Sequence, residues 1–251
     1  MIRRMSRSLQ VALLPDQLTP EQLTGSIAIV IDVLRASTTV VHALAHGATR
    51  VAPFETVEAA RLAASDCSSD SALLAGERRG VAVEGFDLGN SPLACSRETV
   101  GGKSIFFTTT NGTRALAKTT AAGRILVGAF VNHAAIVQEL TSYEGQVVLV
   151  CAGTDGQISA EDVLFAGALT SAMNDAWGGN VAIDDPARIA MDFYRANSEN
   201  HARLLETVRQ SRGGQNLIRL GFDDDIVCAA SLDLFSIVPE YDRSTNELRT
   251  A

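Results

Sequence analysis

The densest run of polar chemistry in this chain is the segment 108–114, Thr-Thr-Thr-Asn-Gly-Thr-Arg. It follows an apolar stretch, 105–108, that predicts a buried strand, and it precedes a predicted helix. We expect Asn111-Gly112 to form a tight turn with positive φ and Thr113 to cap the helix. Hydroxyls, backbone N–H groups and the helix dipole would then surround an anion, with Arg114 as a charged fork. An ordinary strand–helix turn with a capping threonine explains the same residues.

Four acidic residues occupy positions suited to metal binding. Asp32 and Glu77 each follow an apolar run, and Glu161 and Asp162 begin a predicted helix. Carboxylate oxygens suit Mg²⁺, which typically takes one or two of them together with waters and a phosphate oxygen. Glu161 and Asp162 also complement the dipole of their own helix, which is the alternative interpretation. An acid that ends an apolar strand needs a partner or a function, so we favour a functional role for Asp32.

Two arginines stand close to these groups in the sequence and could bind an anion. The guanidinium groups of Arg35 and Arg114 suit phosphate, sulfonate or carboxylate. A salt bridge to Asp32 or to another acid is the alternative, and it is compatible with the first role. We expect Arg78 and Arg79 to face solvent, with one of them at the mouth of the pocket as the alternative.

Several other chemistries lack the residues they need. Cys151 has no arginine closing a short phosphate-binding loop behind it, so we interpret it as a small buried residue. Position 34 is leucine, where an aspartyl-phosphate mechanism from Asp32 would need a second acid. The four histidines show no metal-ligand spacing, and neither a dinucleotide fingerprint nor a P-loop occurs.

Composition limits the class of protein. The chain has 251 residues, of which 46% are hydrophobic and 20% charged, with a formal net charge of −8. This favours a globular domain and argues against nucleic-acid binding. The cysteines form no paired motif, and the apolar run 11–14 is too short for a signal peptide or a membrane span. We therefore expect a cytoplasmic protein with a single domain over 1–251, and 1–120 and 121–251 as alternative sub-lobes.

The pattern of apolar runs and helical periodicities predicts alternating strands and helices. Strands are predicted over 27–31, 51–54, 72–75, 105–108, 124–128, 146–150 and 236–239. Further helices are predicted over 40–46, 56–64, 132–140, 159–177, 186–194, 199–210 and around 217–220. This order predicts an α/β fold of three layers, α/β/α, with an open and mainly parallel sheet. Ligands of such sheets bind beyond the carboxyl ends of the strands, where the polar residues above would converge.

Taken together, an ordered set of motifs resembles the 2-phosphosulfolactate phosphatase (ComB) family. The motifs span most of the chain and lie at 32–38, 76–77, 85–92, 108–113, 151–153, 161–162, 225–228 and 238–239. The resemblance implies a Mg²⁺-dependent phosphatase that converts 2-phospho-3-sulfolactate to sulfolactate and phosphate on the route to coenzyme M. The glutamate block of many relatives continues Arg-Gly-Gly, whereas Arg78-Arg79-Gly80 follows Glu77 here.

Our hypothesis is hydrolysis of a small anionic phosphoester by water. The expected roles divide into metal ligands, a general base or additional ligand, a phosphate cradle, and contacts to the other anionic groups of the substrate. In that order the residues are Asp32, Glu161 and Asp162; Glu77; Thr109, Thr110, Asn111, Gly112, Thr113 and Arg114; and Arg35, Asn90 and Ser91. Asp32 and Arg114 are also expected to act in catalysis.

Two other functions fit the same residues. The first is a metal-dependent lyase or isomerase of a phosphorylated hydroxy acid, which release of free phosphate would distinguish from a phosphatase. The second is a non-catalytic anion-binding domain, which predicts binding without turnover. The expected partner is the small phosphoester alone, with neither nucleic acid nor membrane, and assembly into a homo-oligomer is left open.

Overall fold

The computed structural model describes residues 7–68 and 71–250. Its strands are β1 (Ser8–Ala12), β2 (Ile27–Ile31), β3 (Arg50–Pro53), β4 (Ala72–Arg78), β5 (Val81–Ala82), β6 (Ser104–Thr108), β7 (Arg124–Gly128), β8 (Gln146–Cys151), β9 (Ala182–Ile183), β10 (Pro239–Asp242) and β11 (Glu247–Thr250). Its α-helices are α1 (Pro20–Leu23), α2 (Ala36–Ala45), α3 (Val57–Ser65), α4 (Arg97–Val100), α5 (Gly112–Lys118), α6 (His133–Thr141), α7 (Ala160–Ala176), α8 (Asp185–Asn197), α9 (His201–Gln210), α10 (Arg212–Arg219) and α11 (Asp223–Ala229).

The strands form one mixed sheet in the order β5-β4-β6-β3-β11-β10-β7-β2-β8-β1-β9. One parallel block, which we call the five-stranded block, contains β7, β2, β8, β1 and β9. A second, the three-stranded block, contains β3, β6 and β4. The antiparallel hairpin β10–β11 joins them. The predicted three-layer α/β/α fold with a mainly parallel sheet is confirmed.

The hairpin reverses the strand direction between the two blocks. The pairings β7–β10, β10–β11 and β11–β3 are all antiparallel, so the three-stranded block runs opposite to the five-stranded block. In a flat sheet the carboxyl ends of the two blocks would lie at opposite edges. The usual twist of roughly 20–25° per strand pair accumulates over the pairs from β2 to β6. It turns the strand direction of one block relative to the other, which allows their carboxyl ends to approach each other.

Alternation of side chains along the central strands explains why both faces of the sheet are covered. Every residue of β2 is buried. Ile27, Ile29 and Ile31 pack into a core with α6 and α7, whereas Ala28 and Val30 pack into a second core with α2 and α5. A strand with two buried faces reads as a continuous apolar run, which is why this one was predictable.

The structure corrects several predicted elements. Strand β1 and the hairpin strand β11 were not predicted, and of the predicted strand 236–239 only Pro239 lies in a strand. The segment 236–239 lacks the alternation of a strand, and β11 gains its place by pairing with distant β3. Helix α10 begins at Arg212, well before the predicted 217, because the side chain of Ser211 caps it by accepting a hydrogen bond from Gly214 N.

The turn before α5 also differs from the prediction. Gly112 is not among the residues with positive φ, and Asn111 has a φ of −113°. The helix begins at Gly112, so Thr113 lies inside it and is not the cap. Its hydroxyl instead donates a 2.8 Å hydrogen bond to the carbonyl of Thr109. The single domain and the division near residue 120 remain predictions.

Candidate active site

A cavity of about 450 Å³ lies where the ends of β2, β4 and β6 meet α10. Strand ends from both parallel blocks contribute to it, despite their opposite directions. Six of the residues predicted for the site line this cavity, namely Asp32, Arg35, Glu77, Asn90, Thr110 and Asn111. The predicted convergence of these residues is therefore found in the structure.

Asp32 follows the last residue of β2 and lies in the wall of the cavity with 7% of its surface exposed. Its Oδ1 accepts a 3.3 Å hydrogen bond from Ala36 N at the start of α2. Burial and, to a smaller extent, the negative charges of Glu77 and Glu161 raise the pKa of Asp32 to about 7. A carboxyl group with this pKa exchanges a proton near neutral pH.

Gly112 is required by its distance from Asp32, and not by a special backbone conformation. A Cβ at position 112 would lie 2.5 Å from Ala36 Cβ and 2.9 Å from Asp32 Oδ2. A larger residue would therefore displace the carboxylate or the start of α2. The lack of space for a side chain, and not the predicted positive φ, is therefore the reason for a glycine at position 112.

Glu77, in β4, is hydrogen-bonded at both oxygens. Its Oε1 accepts from Thr110 N at 2.7 Å, and its Oε2 accepts from Gly80 N at 2.6 Å and from Thr110 Oγ1 at 3.2 Å. These bonds join the loop after β6 to the turn between β4 and β5. Since Oε1 has a single donor, it keeps a lone pair that can face a water or a substrate.

Arg35 is buried and its guanidinium is bound on several sides. Its Nη1 donates to Asp225 Oδ2 at 2.6 Å, its Nη2 donates to the carbonyl of Gly80 at 2.9 Å, and its Cζ lies 4.6 Å from the ring centroid of Phe222. The salt bridge that we weighed for Arg35 therefore exists, but its partner is Asp225. Ser91 donates a 2.6 Å hydrogen bond to the other oxygen of Asp225 and does not line the cavity.

Glu161 and Asp162 begin α7 and are both buried, but their surroundings differ. Asp162 accepts one 2.9 Å hydrogen bond from Val33 N and another from Gly153 N, so it joins the ends of β2 and β8. Glu161 Oε2 is buried and has no hydrogen-bond partner among residues 7–68 and 71–250. Burial raises the pKa of both carboxyl groups.

Gly213 connects Glu161 to the cavity that it lines. A Cβ at position 213 would lie 2.2 Å from Glu161 Oε1, so only a glycine leaves room for this carboxylate. Asp32 and Glu161 also interact electrostatically, since each negative charge disfavours the other. The result is an excess of buried negative charge at one side of the cavity.

This donor set fits a hard divalent cation. Over residues 7–68 and 71–250, no three histidine, cysteine, aspartate or glutamate side chains converge on one ion-sized position, so the predicted set of Asp32, Glu161 and Asp162 does not form a three-carboxylate site. Two carboxylates with water and substrate oxygens are nevertheless the usual environment of Mg²⁺. Asp32 and the unpartnered Glu161 are the two that fit, because Asp162 already bonds two backbone N–H groups through its two oxygens.

The segment 108–114 divides into residues that reach the cavity and residues that do not. Thr110 and Asn111 line it, and Asn111 Oδ1 accepts a 3.3 Å hydrogen bond from Asp155 N. Thr109 and Thr113 are buried and bond to each other. Arg114 is 54% exposed, pairs with Asp16 and does not line the cavity. Its predicted place beside the phosphate is not the place that the structure gives it.

Two neighbouring arginines have different environments. Arg78 donates to the carbonyl of Glu77 at 2.7 Å and to Thr108 Oγ1 at 2.8 Å, so it is part of the framework. Arg79 is exposed and lines the cavity, which is the alternative that we gave for one of this pair.

Sequence reasoning missed part of the cavity wall and one buried acid. Asp155 follows β8, while Gly213, Asn216 and Leu217 come from α10. The motif at 225–228 was noticed, but nothing in it indicated that Asp225 would hold Arg35 from 190 positions away. The cysteine interpretation was right, since Cys151 is buried in the core and burial raises the pKa of its thiol well above the ordinary value.

The segment that carries this cavity also matches known proteins. Residues 12–244 match the model of a family described as 2-phosphosulpholactate phosphatase. A relative from Symbiobacterium thermophilum is 40% identical over 221 residues, covering 88% of this chain and 93% of the relative. Relatives from Clostridium beijerinckii and Synechococcus sp. (strain CC9605) are 35% and 41% identical, covering 90% and 88% of this chain and 93% and 90% of their own. All three are named probable 2-phosphosulfolactate phosphatase.

Proposed function

This chain belongs to the 2-phosphosulpholactate phosphatase family, and from that premise we propose that it hydrolyses 2-phospho-3-sulfolactate in a Mg²⁺-dependent reaction. The resemblance predicted from the ordered motifs is thereby confirmed, and the protein is a phosphoric monoester hydrolase. The products are sulfolactate and inorganic phosphate.

The observation that supports this proposal is the meeting of buried carboxylates and arginines in one cavity. Asp32 and Glu77 face the same space as Arg35 and Arg79. The substrate carries a phosphate, a carboxylate and a sulfonate, so it needs cationic and hydrogen-bonding groups on several sides. A cavity of about 450 Å³ is of the size that encloses a small ligand.

Asp32 and Glu161 are the residues that would hold Mg²⁺, with Asp162 behind them as the support of both strand ends. When bound, the cation would polarise the phosphoryl group and lower the pKa of an attacking water. A cation favours the ionised form of a neighbouring carboxyl group. Because the pKa of Asp32 is about 7 in the protein alone, we expect Asp32 to release its proton when the cation binds.

Glu77 is the candidate general base. The lone pair left on its Oε1 can accept the proton of the attacking water, while its hydrogen bonds to Thr110 and Gly80 fix the carboxylate in position. Asn90 lines the same cavity, and within the described part of the chain its buried Oδ1 has no hydrogen-bond partner. We assign Asn90 to orientation of the substrate, beside Arg35.

The proposal is tested with chelator-treated protein and synthetic 2-phospho-3-sulfolactate. We expect sulfolactate and phosphate to form in equal amounts only after Mg²⁺ is added. Equal rates with and without chelator would contradict the metal dependence. Phosphate release without sulfolactate would indicate elimination and therefore a lyase, and tight binding without turnover would indicate an anion-binding domain.

The location of the protein is also a proposal. Cys67, Cys95, Cys151 and Cys228 are all free thiols, which supports a reducing compartment such as the cytoplasm. Within the described part of the chain, no helix is long and apolar enough to cross a membrane.

A further inference from the structure

The turn between β4 and β5 carries an unusual residue at the mouth of the cavity. Arg78 pairs with Val81, so Arg79 and Gly80 are the two central residues of a tight hairpin. Their φ values are +54° and +84°, the positive pair that a type I′ turn requires. Such turns favour asparagine, aspartate or glycine at the first position, whereas arginine is strained there. Strained residues of this kind are common at binding sites, so the position of Arg79 in the cavity wall indicates a function for its side chain.

The turn is fixed by residues of the site itself. The N–H of Gly80 donates to Glu77 Oε2 at 2.6 Å, and its carbonyl accepts from Arg35 Nη2 at 2.9 Å. The N–H of Arg79 donates to Thr110 Oγ1 at 3.3 Å. The turn is therefore anchored to both buried charged residues through the backbone of Gly80, and to the loop after β6 through the N–H of Arg79. Its side chain starts from a defined point beside the cavity.

The guanidinium of Arg79 is free to bind a ligand. Among the contacts of residues 7–68 and 71–250, it makes no ion pair and no hydrogen bond to another side chain. Arg35 differs in this respect, because Asp225 and the carbonyl of Gly80 already occupy its two terminal nitrogens. Of the two arginines that line the cavity, Arg79 is thus the one with an unused fork.

The shape of the substrate indicates which group would reach this fork. In 2-phospho-3-sulfolactate the carboxylate and the phosphate oxygen are attached to the same carbon, and the sulfonate stands on a methylene one carbon away. With the phosphate placed beside Asp32, the sulfonate would stand one bond farther from the phosphorus than the carboxylate, and it would be the group that reaches the mouth of the cavity. We propose that Arg79, which stands where many relatives have glycine, adds a contact to this sulfonate and so strengthens the preference of this chain for a sulfonated substrate, an inference that rests on the proposed function.

The test compares two substrates that differ only in the sulfonate, 2-phospho-3-sulfolactate and 2-phospholactate. Arg79→Asn removes the guanidinium and keeps a residue that tolerates the turn. We expect it to raise KM for the sulfonated substrate about tenfold to a hundredfold, with kcat and the KM for 2-phospholactate changed by less than about threefold. Arg79→Lys keeps a charge without the fork and should fall between.

Arg188→Ala is the matched control, since Arg188 is exposed on α8 and does not line the cavity. This substitution removes the same charge and should leave kcat and KM unchanged for both substrates. Equal losses on both substrates with Arg79→Asn, or no loss on either, would overturn the proposal. The melting temperature of Arg79→Asn should not fall, because asparagine adopts positive φ more readily than arginine.

A binding measurement distinguishes failure of the proposed function from failure of the proposed role of Arg79. If the native protein hydrolyses neither substrate, calorimetric binding of 3-sulfolactate and of lactate still decides the role of Arg79. Binding of 3-sulfolactate that weakens about tenfold in Arg79→Asn, with lactate unaffected, would support it. Absent binding of 3-sulfolactate, or binding that the substitution leaves unchanged, would overturn it.

Discussion

The two parallel blocks supply unlike halves of one cavity. On the side of the five-stranded block, Asp32 lines the cavity at the end of β2, and Glu161 lies in the first turn of α7 against the lining residue Gly213. Burial raises the pKa of both carboxyl groups, and Glu161 Oε2 has no hydrogen-bond partner within residues 7–68 and 71–250. The three-stranded block contributes Glu77 and Thr110, whose polar atoms are hydrogen-bonded to each other. The first half holds uncompensated charge that a cation would stabilise. The second is a framework already complete without a ligand, so substitutions in the two halves should have opposite effects on stability.

The largest effect is expected for Asp32→Asn. Loss of the anion should lower kcat about a thousandfold, since this carboxylate would both hold the cation and lie beside the phosphate. The measurement is initial rates of phosphate release at saturating Mg²⁺. Asp175→Asn removes the same charge from the exposed end of α7 and serves as the control. A kcat within about tenfold of the native value would remove Asp32 from the mechanism.

The next largest effect is expected for Glu77→Ala, and it concerns folding as well as activity. The substitution leaves the N–H groups of Thr110 and Gly80 without their acceptor. We expect the free energy of unfolding to fall by about 3 kcal/mol, measured by urea denaturation. Glu58→Ala, at an exposed position of α3, should have little effect. An unchanged unfolding free energy in Glu77→Ala would contradict the idea of a preassembled half.

The pH dependence of stability tests whether the buried charge of Asp32 destabilises the protein in the absence of a cation. The pKa of Asp32 is about 7 in the folded protein against 3.8 as the model value, so the folded state binds the proton more tightly. The cost of its buried charge is absent below about pH 4 and complete above about pH 7. In chelator, Asp32→Asn should therefore be equal to the native protein at pH 4 and more stable at pH 8. The difference should grow by roughly 1.4 kcal/mol per pH unit between these limits.

A difference measurement is needed because another buried group acts in the opposite sense. Burial lowers the pKa of His42 to about 4. Protonation of this histidine in the unfolded state therefore lowers the free energy of unfolding as the pH falls from about 6.5 to 4. Its contribution is common to both proteins and cancels in the comparison. A difference that does not depend on pH would show that Asp32 is ionised throughout, and would remove the contrast between the two halves.

The smallest effect is expected for Arg114→Ala. This side chain is exposed and pairs with Asp16 outside the cavity, and exposed pairs contribute little. We expect kcat/KM to stay within about twofold of the native value. A hundredfold loss of kcat/KM would instead support the predicted role of Arg114 beside the phosphate. It would then follow that Arg114 leaves Asp16 and moves toward the cavity during the reaction.

Much of the site was predictable because strand ends are local features. Asp32, Glu77 and Thr110 each follow or end a short apolar run, and the ligands of α/β sheets bind at such strand ends. The reversal between the two blocks was not predictable, since it depends on the hairpin β10–β11, whose pairings are made by single residues with distant strands. The partner of Arg35 was missed for the same reason, as Asp225 lies in another helix.

By itself the sequence determined the order of strands and helices, the family, and the acids and hydroxyls that stand at the strand ends. Periodicity and strand-end position are written within a few residues, so they survive without knowledge of the fold. The tertiary structure decided which of these groups keep unused bonding capacity. Among the residues that the structure describes, Glu161 Oε2 has no hydrogen-bond partner and Asp162 has two, while the guanidinium of Arg35 is bound and that of Arg79 is not. Those differences arise from packing between elements far apart in the chain, where no local pattern records them.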